Sequence, residues 1–321
     1  MSSKPTLLME VPDINLGADH LRWFLEPMFN IELLDVNRTY DPRSTVVMIG
    51  ADEWNSSNGI SANVQKIRDT GIRCVIDRCW DCWDSSLDNS ADFTLRPRDF
   101  IRINESAYYR YLNYNNFDLI SNPTCDFLLL MNGIRPYRTK LYNALEPVLE
   151  GNIYSYVEYG VPLQNAKDQE ANSASADWQR YTDPTWYTST RFSIVSESKV
   201  YKNTNPADDI NVTEKTLKTC AFKHPVIVWG QAGALAWHKH QGFETFDHCV
   251  DETYDTIEDD DIRLEKVVEQ INLCIKDKTI FTDPVTQQKI EHNYNHFYRK
   301  DIVIKLLHEQ IVNPLMRFIE S

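Results

Sequence analysis

The chain has 321 residues, 42% hydrophobic and 25% charged, a balance typical of globular proteins with one large domain or two ordinary ones, and one that excludes disorder along the whole length. Lys and Arg number 33 against 47 Asp and Glu, a formal net charge of −14, so strong overall attraction to nucleic acid or an anionic membrane requires positive charge gathered locally. Glycine is scarce, at 10 residues, and neither a GxGxxG nor a GxxxxGK[ST] pattern occurs, which leaves side chains and helix N-termini as the means of holding a phosphate.

The N-terminal MSSKPTLLMEV has no long apolar core after its lysine, and apolar runs such as Phe127 to Met131 fall well short of the ~20 residues of a membrane span. The expectation is a soluble chain without a membrane association, cytoplasmic, or in the host cytoplasm if viral. Leu7 to Glu10 is a short apolar run, His20 to Phe29 has helical spacing, Thr45 to Ile49 and Arg73 to Ile76 read as strands, and Ala62 to Thr70 fits a helix between them. That order predicts a parallel α/β sheet. Phe127 to Met131 is a further strand candidate, followed by a turn at Asn132-Gly133 and a helix from about Pro136 to Leu149, then a strand from Tyr154 to Val161.

A polar stretch from Gln164 to Thr190 reads as a long surface excursion. A second α/β pattern begins beyond it, with strands at Arg191 to Val195, Pro225 to Trp229 and Glu244 to Phe246, and helices at Thr213 to Phe222 and Leu235 to Gln241. Helices at about Asp261 to Asp277 and Lys300 to Glu320 close the chain. The expected fold class is α/β with two Rossmann-like domains, an interdomain cleft and a C-terminal helix. An acceptor-side domain would occupy residues 1–160, a polar linker 161–190, and a nucleotide-binding domain with the terminal helices 191–321. Ligands of such sheets bind beyond the carboxyl ends of the strands.

Seven cysteines at scattered positions suit a reducing compartment. Cys79 and Cys82 form a lone CxxC, and His292 and His296 are spaced i, i+4, but nothing in the sequence brings the pairs together. Free thiols and no metal are therefore the expectation. His238 and His240, at i, i+2, point in different directions on a helix, although one could line a ligand site. Residues 251–269 hold nine acids and two bases; clustered carboxylates suit hard cations, but Asp259 to Asp261 immediately precedes a helical pattern, where acids act as caps and first-turn partners of the helix dipole. Arg263 is placed to reach back toward Asp255.

The segment Arg191 to Leu235 carries the chemistry. A strand ends in Glu197, a polar loop leads to Thr213-Glu214-Lys215 at a helix start, and that helix feeds the apolar strand PVIVWG ending at Gly230. Free helix N–H groups beside a lysine suit a phosphate, and a nearby carboxylate can accept from ribose hydroxyls. The plain alternative is an N-capping Thr213, a first-turn Glu214 and a solvated Lys215.

RFSIVSES, loop, NVTEKTLKTCAFKHPVIVWG resembles the donor-binding region of α-1,3-fucosyltransferases. It is also similar to glycosyltransferase-like proteins of tailed phages, which share the later GFETF (242–246) and DETYD (251–255) segments. This resemblance implies a GT-B type glycosyltransferase, a hexosyl- or pentosyltransferase, that uses a GDP- or UDP-linked nucleotide sugar as donor substrate and neither cofactor nor metal. It implies that Glu214 binds the ribose, Lys215 the diphosphate, and that Glu197, with Thr213 and Gly230 in the same region, orders the donor sugar or its loop. Ser196-Glu197-Ser198 replaces the fucosyltransferase Phe-Glu-Asn, which leaves the sugar and the base open. Asn132 to Arg138 resembles an N…R..R segment of the same phage proteins, with Arg135 and Arg138 on one helical face to neutralise the leaving diphosphate.

An inverting transfer needs a base for the acceptor hydroxyl. Glu53 and Asp52 after one strand are preferred to Asp81 after another, and Trp54, Trp80 and Trp83 beside them could stack on a ring. The acceptor is either a glycan or a hydroxymethylated pyrimidine in phage DNA, the latter making the chain a DNA-modification enzyme. Arg96, Arg98, Arg102, Arg110, Arg135, Arg138 and Lys140 give 7 positive against 4 negative charges over 96–140, a potential backbone track. A non-catalytic nucleotide- or carbohydrate-binding protein on the same fold is the alternative. Oligomeric state is left open.

Overall fold

The computed structural model describes residues 4–9, 25–35, 37–50, 62–77, 92–95, 102–103, 106, 116–117, 119, 121–164, 182–201, 210 and 212–321. The chain divides into two compact units, one made of residues 1–112 with 299–321 and the other of 113–298.

In the first unit, β1 (Thr6–Met9), β2 (Asn30–Leu33), β3 (Thr45–Gly50), β4 (Arg73–Asp77) and β5 (Phe93–Leu95) form one sheet in the order β2-β1-β3-β4-β5. All of its pairings are parallel. Such a sheet is covered on both faces, so its strands are apolar throughout rather than alternating with polar residues. The period of two still sorts them: Leu7, Met9, Val46, Met48, Val75 and Leu95 share one apolar cluster with Val303, Leu307, Ile311, Leu315 and Ile319. Leu8, Val47 and Cys74 face the other way, onto Val64 and Ile67 of α1 (Ala62–Arg68).

In the second unit, β6 (Cys125–Met131), β7 (Ile153–Tyr156), β8 (Val161–Gln164), β9 (Thr190–Ser196) and β10 (Val226–Trp229) form a sheet in the order β10-β9-β6-β7-β8. Only β7 with β8 is antiparallel. The helices among the described residues of this unit are α2 (Pro136–Leu145), α3 (Pro184–Thr188), α4 (Glu214–Ala221), α5 (Ala234–His240), α6 (Asp260–Lys276) and α7 (Pro284–Phe297). The apolar stripe of α6, Leu264, Val267, Ile271 and Cys274, repeats at helical spacing and joins the core of Phe127, Leu129, Phe192 and Ile227.

A mixed α/β fold with two parallel-dominated sheets is therefore present, but the compact units do not divide at 160 and 190. β6 pairs with β9 over Cys125–Leu129, which draws 113–160 into the second unit. The terminal helices α8 (Lys300–Leu307) and α9 (Asn313–Glu320), joined by a π-helical turn, pack in the first unit's core rather than with residues 191–298. Three local expectations also change. The run Tyr154 to Val161 is a hairpin, because Gly160 takes a left-handed conformation (φ 86°) between β7 and β8. Glu244 to Phe246 is not a strand; Asn293 accepts from the Glu244 N–H and Glu252 from the Phe246 N–H in place of a ladder partner. Helix α7, announced by an Asp283 cap and Pro284 at its first position, adds an element between the two closing helices. The expected helix at 20–29 lies largely outside the described residues.

Candidate functional site

In each sheet there is a point where neighbouring strands send the chain off in opposite directions, and ligands of open α/β sheets bind beyond the carboxyl ends there. In the second sheet that point lies between β6, which continues to β7 on one side, and β9, which continues to β10 on the other. The turn after β6 holds Arg135 and Arg138, and the turn after β9 holds Glu197 and Ser198, with Lys215 at the start of α4. The structure thus brings together two sets of residues that lie about 60 positions apart in sequence.

The β6–α2 turn is fixed by its neighbours. Glu158 accepts from the Ile134 N–H at 2.9 Å, its own N–H donates to the Asn132 carbonyl, and the Tyr156 hydroxyl accepts from the Arg135 N–H at 3.3 Å. Helix α2 begins at Pro136, so Arg135 is the extended residue before it and not part of the helical face expected for the arginine pair. The two guanidiniums nevertheless converge at Gly133 together with the Glu158 carboxylate: an added Cβ would lie 3.5 Å from Arg138 Nη1, 3.6 Å from Glu158 Oε2 and 3.7 Å from Arg135 Nη1. Arg135 is exposed, whereas Arg138 is only 7% exposed. Arg138 Nη1 donates to the Gly133 carbonyl at 3.0 Å, and its buried Nε has no hydrogen-bond partner. Among the described residues no carboxylate forms an ion pair with either arginine. A buried donor left unpaired costs about 1–3 kcal/mol, more when charged, so the Arg138 Nε is a donor that water or a ligand can satisfy.

Tyr137 joins the two strand ends. Its hydroxyl donates to the Ser198 carbonyl, and its ring meets Tyr201 edge-on at 5.6 Å. Burial pushes its pKa up, opposed by the positive charges of Arg138, Arg135 and Lys215 and reinforced by Glu197. The same charges therefore face one phenol.

On the β9 side Glu197 is fully buried. Its carboxylate accepts from the Thr213 N–H at 3.1 Å, from the Thr216 hydroxyl at 2.5 Å and from the Thr213 hydroxyl. Glu197 thus holds the start of α4 against the end of β9. Thr213 is the N-cap of α4, accepting from the Lys215 N–H. Lys215 Nζ donates to Glu214 at 2.7 Å, Ser198 Oγ at 3.1 Å and Thr213 Oγ1 at 3.2 Å. Burial raises the Glu214 pKa, but the charges of Lys215 and Lys218 and the Lys215 hydrogen bond outweigh it and hold the carboxyl at about 2. Glu214 is therefore a permanent acceptor, and the three donors of the Lys215 ammonium are all taken up, by Glu214, Ser198 and Thr213. Gly230 packs behind them: an added Cβ would sit 3.3 Å from Ala234 Cβ and 3.5 Å from Glu197 Cγ.

The next turn in the sheet, after β10, is closed. Asp255 accepts from the Leu235 and Ala236 N–H groups at 3.0 Å each, occupying the first turn of α5. Arg263 turns away from Asp255: it donates to the carbonyls of Gly230 and Val200 at 3.1 and 2.6 Å, to that of Ile257 at 2.5 Å, and to Asp260. Asp259 caps α6, and Asp251 caps the short 3-10 turn at Glu252–Thr256. Within the acidic segment Asp251, Asp255 and Asp259 therefore serve helix starts, while Asp260 and Asp261 pair with Arg263 and Lys140.

Glu53, Asp52 and Asp81, with Trp54, Trp80 and Trp83 and with Cys79 and Cys82, lie outside the described residues. β3, which precedes Asp52 and Glu53, ends at Gly50 beside the switch point of the first sheet, between β1 and β3. His292 and His296 bond the carbonyls of Gly242 and Gln241. His238 is buried and stacked on Phe243 at 4.5 Å, away from solvent. Of the suggested basic track, Arg96, Arg98 and Arg110 are outside the described residues, Arg102 and Arg138 are buried, and Lys140 pairs with Asp261, leaving Arg135 exposed. Tyr137 and Ser198 were not singled out from the sequence; their participation follows from β6 pairing with β9.

No protein-family model matches the chain, and no curated protein matches it. Among solved structures, an α1,3-fucosyltransferase aligns with a TM-score of 0.43 and 11% identity over 95% of this chain and 93% of the other. An α1,3-fucosyltransferase with GDP aligns at 0.36 and 12% identity over 89% and 94%, and one with GDP-fucose at 0.34 and 11% identity over 94% and 92%. No described helix is long and apolar enough to cross a membrane.

Proposed function

We propose that the chain is a GT-B type glycosyltransferase that moves a sugar from a GDP- or UDP-linked donor to an acceptor hydroxyl. The observation that carries this reading is the cationic end of β6 and β9. Arg138 with its unpaired Nε, the exposed Arg135 and Lys215 at the start of α4 surround one switch point. A diphosphate is the anion that suits it, since two guanidiniums offer several donors to adjacent phosphoryl groups and the Lys215 ammonium, exchanging a partner, adds a third positive charge. Glu214, ionised at every working pH, takes the ribose hydroxyls. Thr213, Glu197 and Gly230 hold the start of α4 in place behind these contacts.

In the reaction the acceptor oxygen forms a bond to the anomeric carbon as the bond from that carbon to the phosphate oxygen breaks. The electron pair leaves with the nucleoside diphosphate, and its developing charge is stabilised by Arg138, Arg135 and Lys215. The acceptor proton passes to a carboxylate, for which Glu53, Asp52 and Asp81 are the candidates, giving inversion at the anomeric centre. The acceptor is either a glycan hydroxyl or a hydroxymethylated pyrimidine in DNA, and transfer assays with the two acceptor classes separate them.

Calorimetric titration with GDP and UDP tests the reading. One of the two binds to the wild-type chain, and Lys215→Ala weakens it by roughly tenfold or more, as expected for loss of a charged contact. Absence of binding by either nucleotide sinks the proposal.

A further inference from the structure

A second cluster in the same unit uses none of the residues above. After Phe246 the chain turns through His248 and Cys249, and this turn lies against the start of α7. His248 Nε2 is 2.9 Å from Thr286 Oγ1 and 3.4 Å from Asp283 Oδ2. Cys249 Sγ is 3.9 Å from the same Thr286 hydroxyl. One ligand atom each from His248, Cys249 and Asp283 lies within 4.8 Å of the others. Asp283 is already fixed, because its Oδ1 accepts from the Val285 and Thr286 N–H groups at 2.8 and 3.1 Å and its Oδ2 from the Thr286 hydroxyl at 2.6 Å.

We propose that His248, Cys249 and Asp283 form a zinc site that ties the 246–250 turn to the N-terminal end of α7. An imidazole nitrogen, a thiolate and a carboxylate oxygen are the donor types of tetrahedral zinc, and their mixture disfavours Mg²⁺ and Ca²⁺, which take oxygen ligands. With metal–ligand bonds of about 2.0–2.3 Å, tetrahedral ligand atoms stand roughly 3.3–3.8 Å apart. The His248–Asp283 separation is already in that range, and closing the remaining separations takes about an ångström of side-chain movement. His248 and Asp283 are 22% and 38% exposed at their side chains, which gives the ion a path in and leaves the fourth position to water. The helix-start N–H groups and the Thr286 hydroxyl pin Asp283, the kind of outer support that orients a ligand before the metal arrives. Three protein ligands make this a site that binds and releases zinc, and its effect is to lock the turn.

Cobalt(II) titration of the full chain reads the proposal directly, because cobalt replaces zinc and reports a bound thiolate by a charge-transfer absorption in the near ultraviolet. One equivalent gives that absorption together with the visible bands of four-coordinate cobalt, and zinc displaces both. Cys249→Ser removes the charge-transfer absorption, His248→Ala weakens cobalt binding more than tenfold, and Cys125→Ser and Cys79→Ser/Cys82→Ser leave both unchanged. No absorption with the wild-type chain overturns the site, as does an absorption that survives Cys249→Ser. Nucleotide binding is read separately in the Lys215→Ala comparison, so either proposal can fail alone.

Discussion

Arg138 and Arg263 are two buried arginines beside the same sheet, and they are used in opposite ways. Arg263 sits behind β10 with its nitrogens committed to four carbonyls, those of Gly230, Ile257, Glu258 and Val200, and to Asp260, and its guanidinium lies 5.3 Å from the Trp229 ring centroid. Arg138, beyond β6, has one carbonyl partner and a bare Nε. The turns they serve differ in the same sense: Asp255 fills the first turn of α5, whereas α2 has no side-chain cap. A buried charge whose partners all lie within the fold is part of the scaffold. One with a donor left over, at a switch point and beside two more cations, is the group on which the proposed diphosphate site rests.

The contrast can be broken most sharply at Arg263. Arg263→Met strips the donor from the Gly230, Val200 and Ile257 carbonyls and from Asp260, and should cost about 3–5 kcal/mol in urea unfolding. An unchanged unfolding midpoint would erase the distinction. Arg138→Met removes a group whose Nε is already unpaired, so its stability should move by no more than about 1 kcal/mol. Its GDP or UDP affinity should fall about a hundredfold, the loss expected for a charge-assisted contact in a buried setting. Asp255→Ala opens the α5 N-terminus, for an expected loss of about 1–2 kcal/mol without change in nucleotide affinity.

The smallest effect concerns pH. Glu214, whose folded pKa of about 2 lies below its ordinary value of 4.5, contributes stability that is present above pH 4.5 and lost as the pH falls through 2. Between pH 5 and 8 Glu214→Gln should therefore leave the pH dependence of unfolding as it is in the wild-type chain; a new slope in that range would show that Glu214 titrates there.

Much of the local structure was legible from residue types. The run ending in Glu197, the capping Thr213 and the apolar PVIVWG needed only propensity and capping rules, and each appears within a residue or two as β9, α4 and β10. Asp259 as a helix cap was legible for the same reason. What was hidden depends on contacts between distant segments. Nothing in Cys125–Met131 announces β9 as its partner, so the contact between Tyr137 and Ser198 is not visible in the sequence. β2 and β5, strands of three or four residues, are too short to show a period. The inward turn of Arg138 was equally invisible, because an arginine in a first helical turn is usually solvated.

The central claim is that the end of β6 and β9 recognises a diphosphate. Calorimetric comparison of the matching nucleoside diphosphate with its nucleoside, guanosine or uridine, on the wild-type chain and on Arg138→Met tests it most directly. The account predicts that the wild-type chain binds the diphosphate far more tightly than the nucleoside, and that Arg138→Met removes most of that difference. Equal affinity of the wild-type chain for both would contradict it.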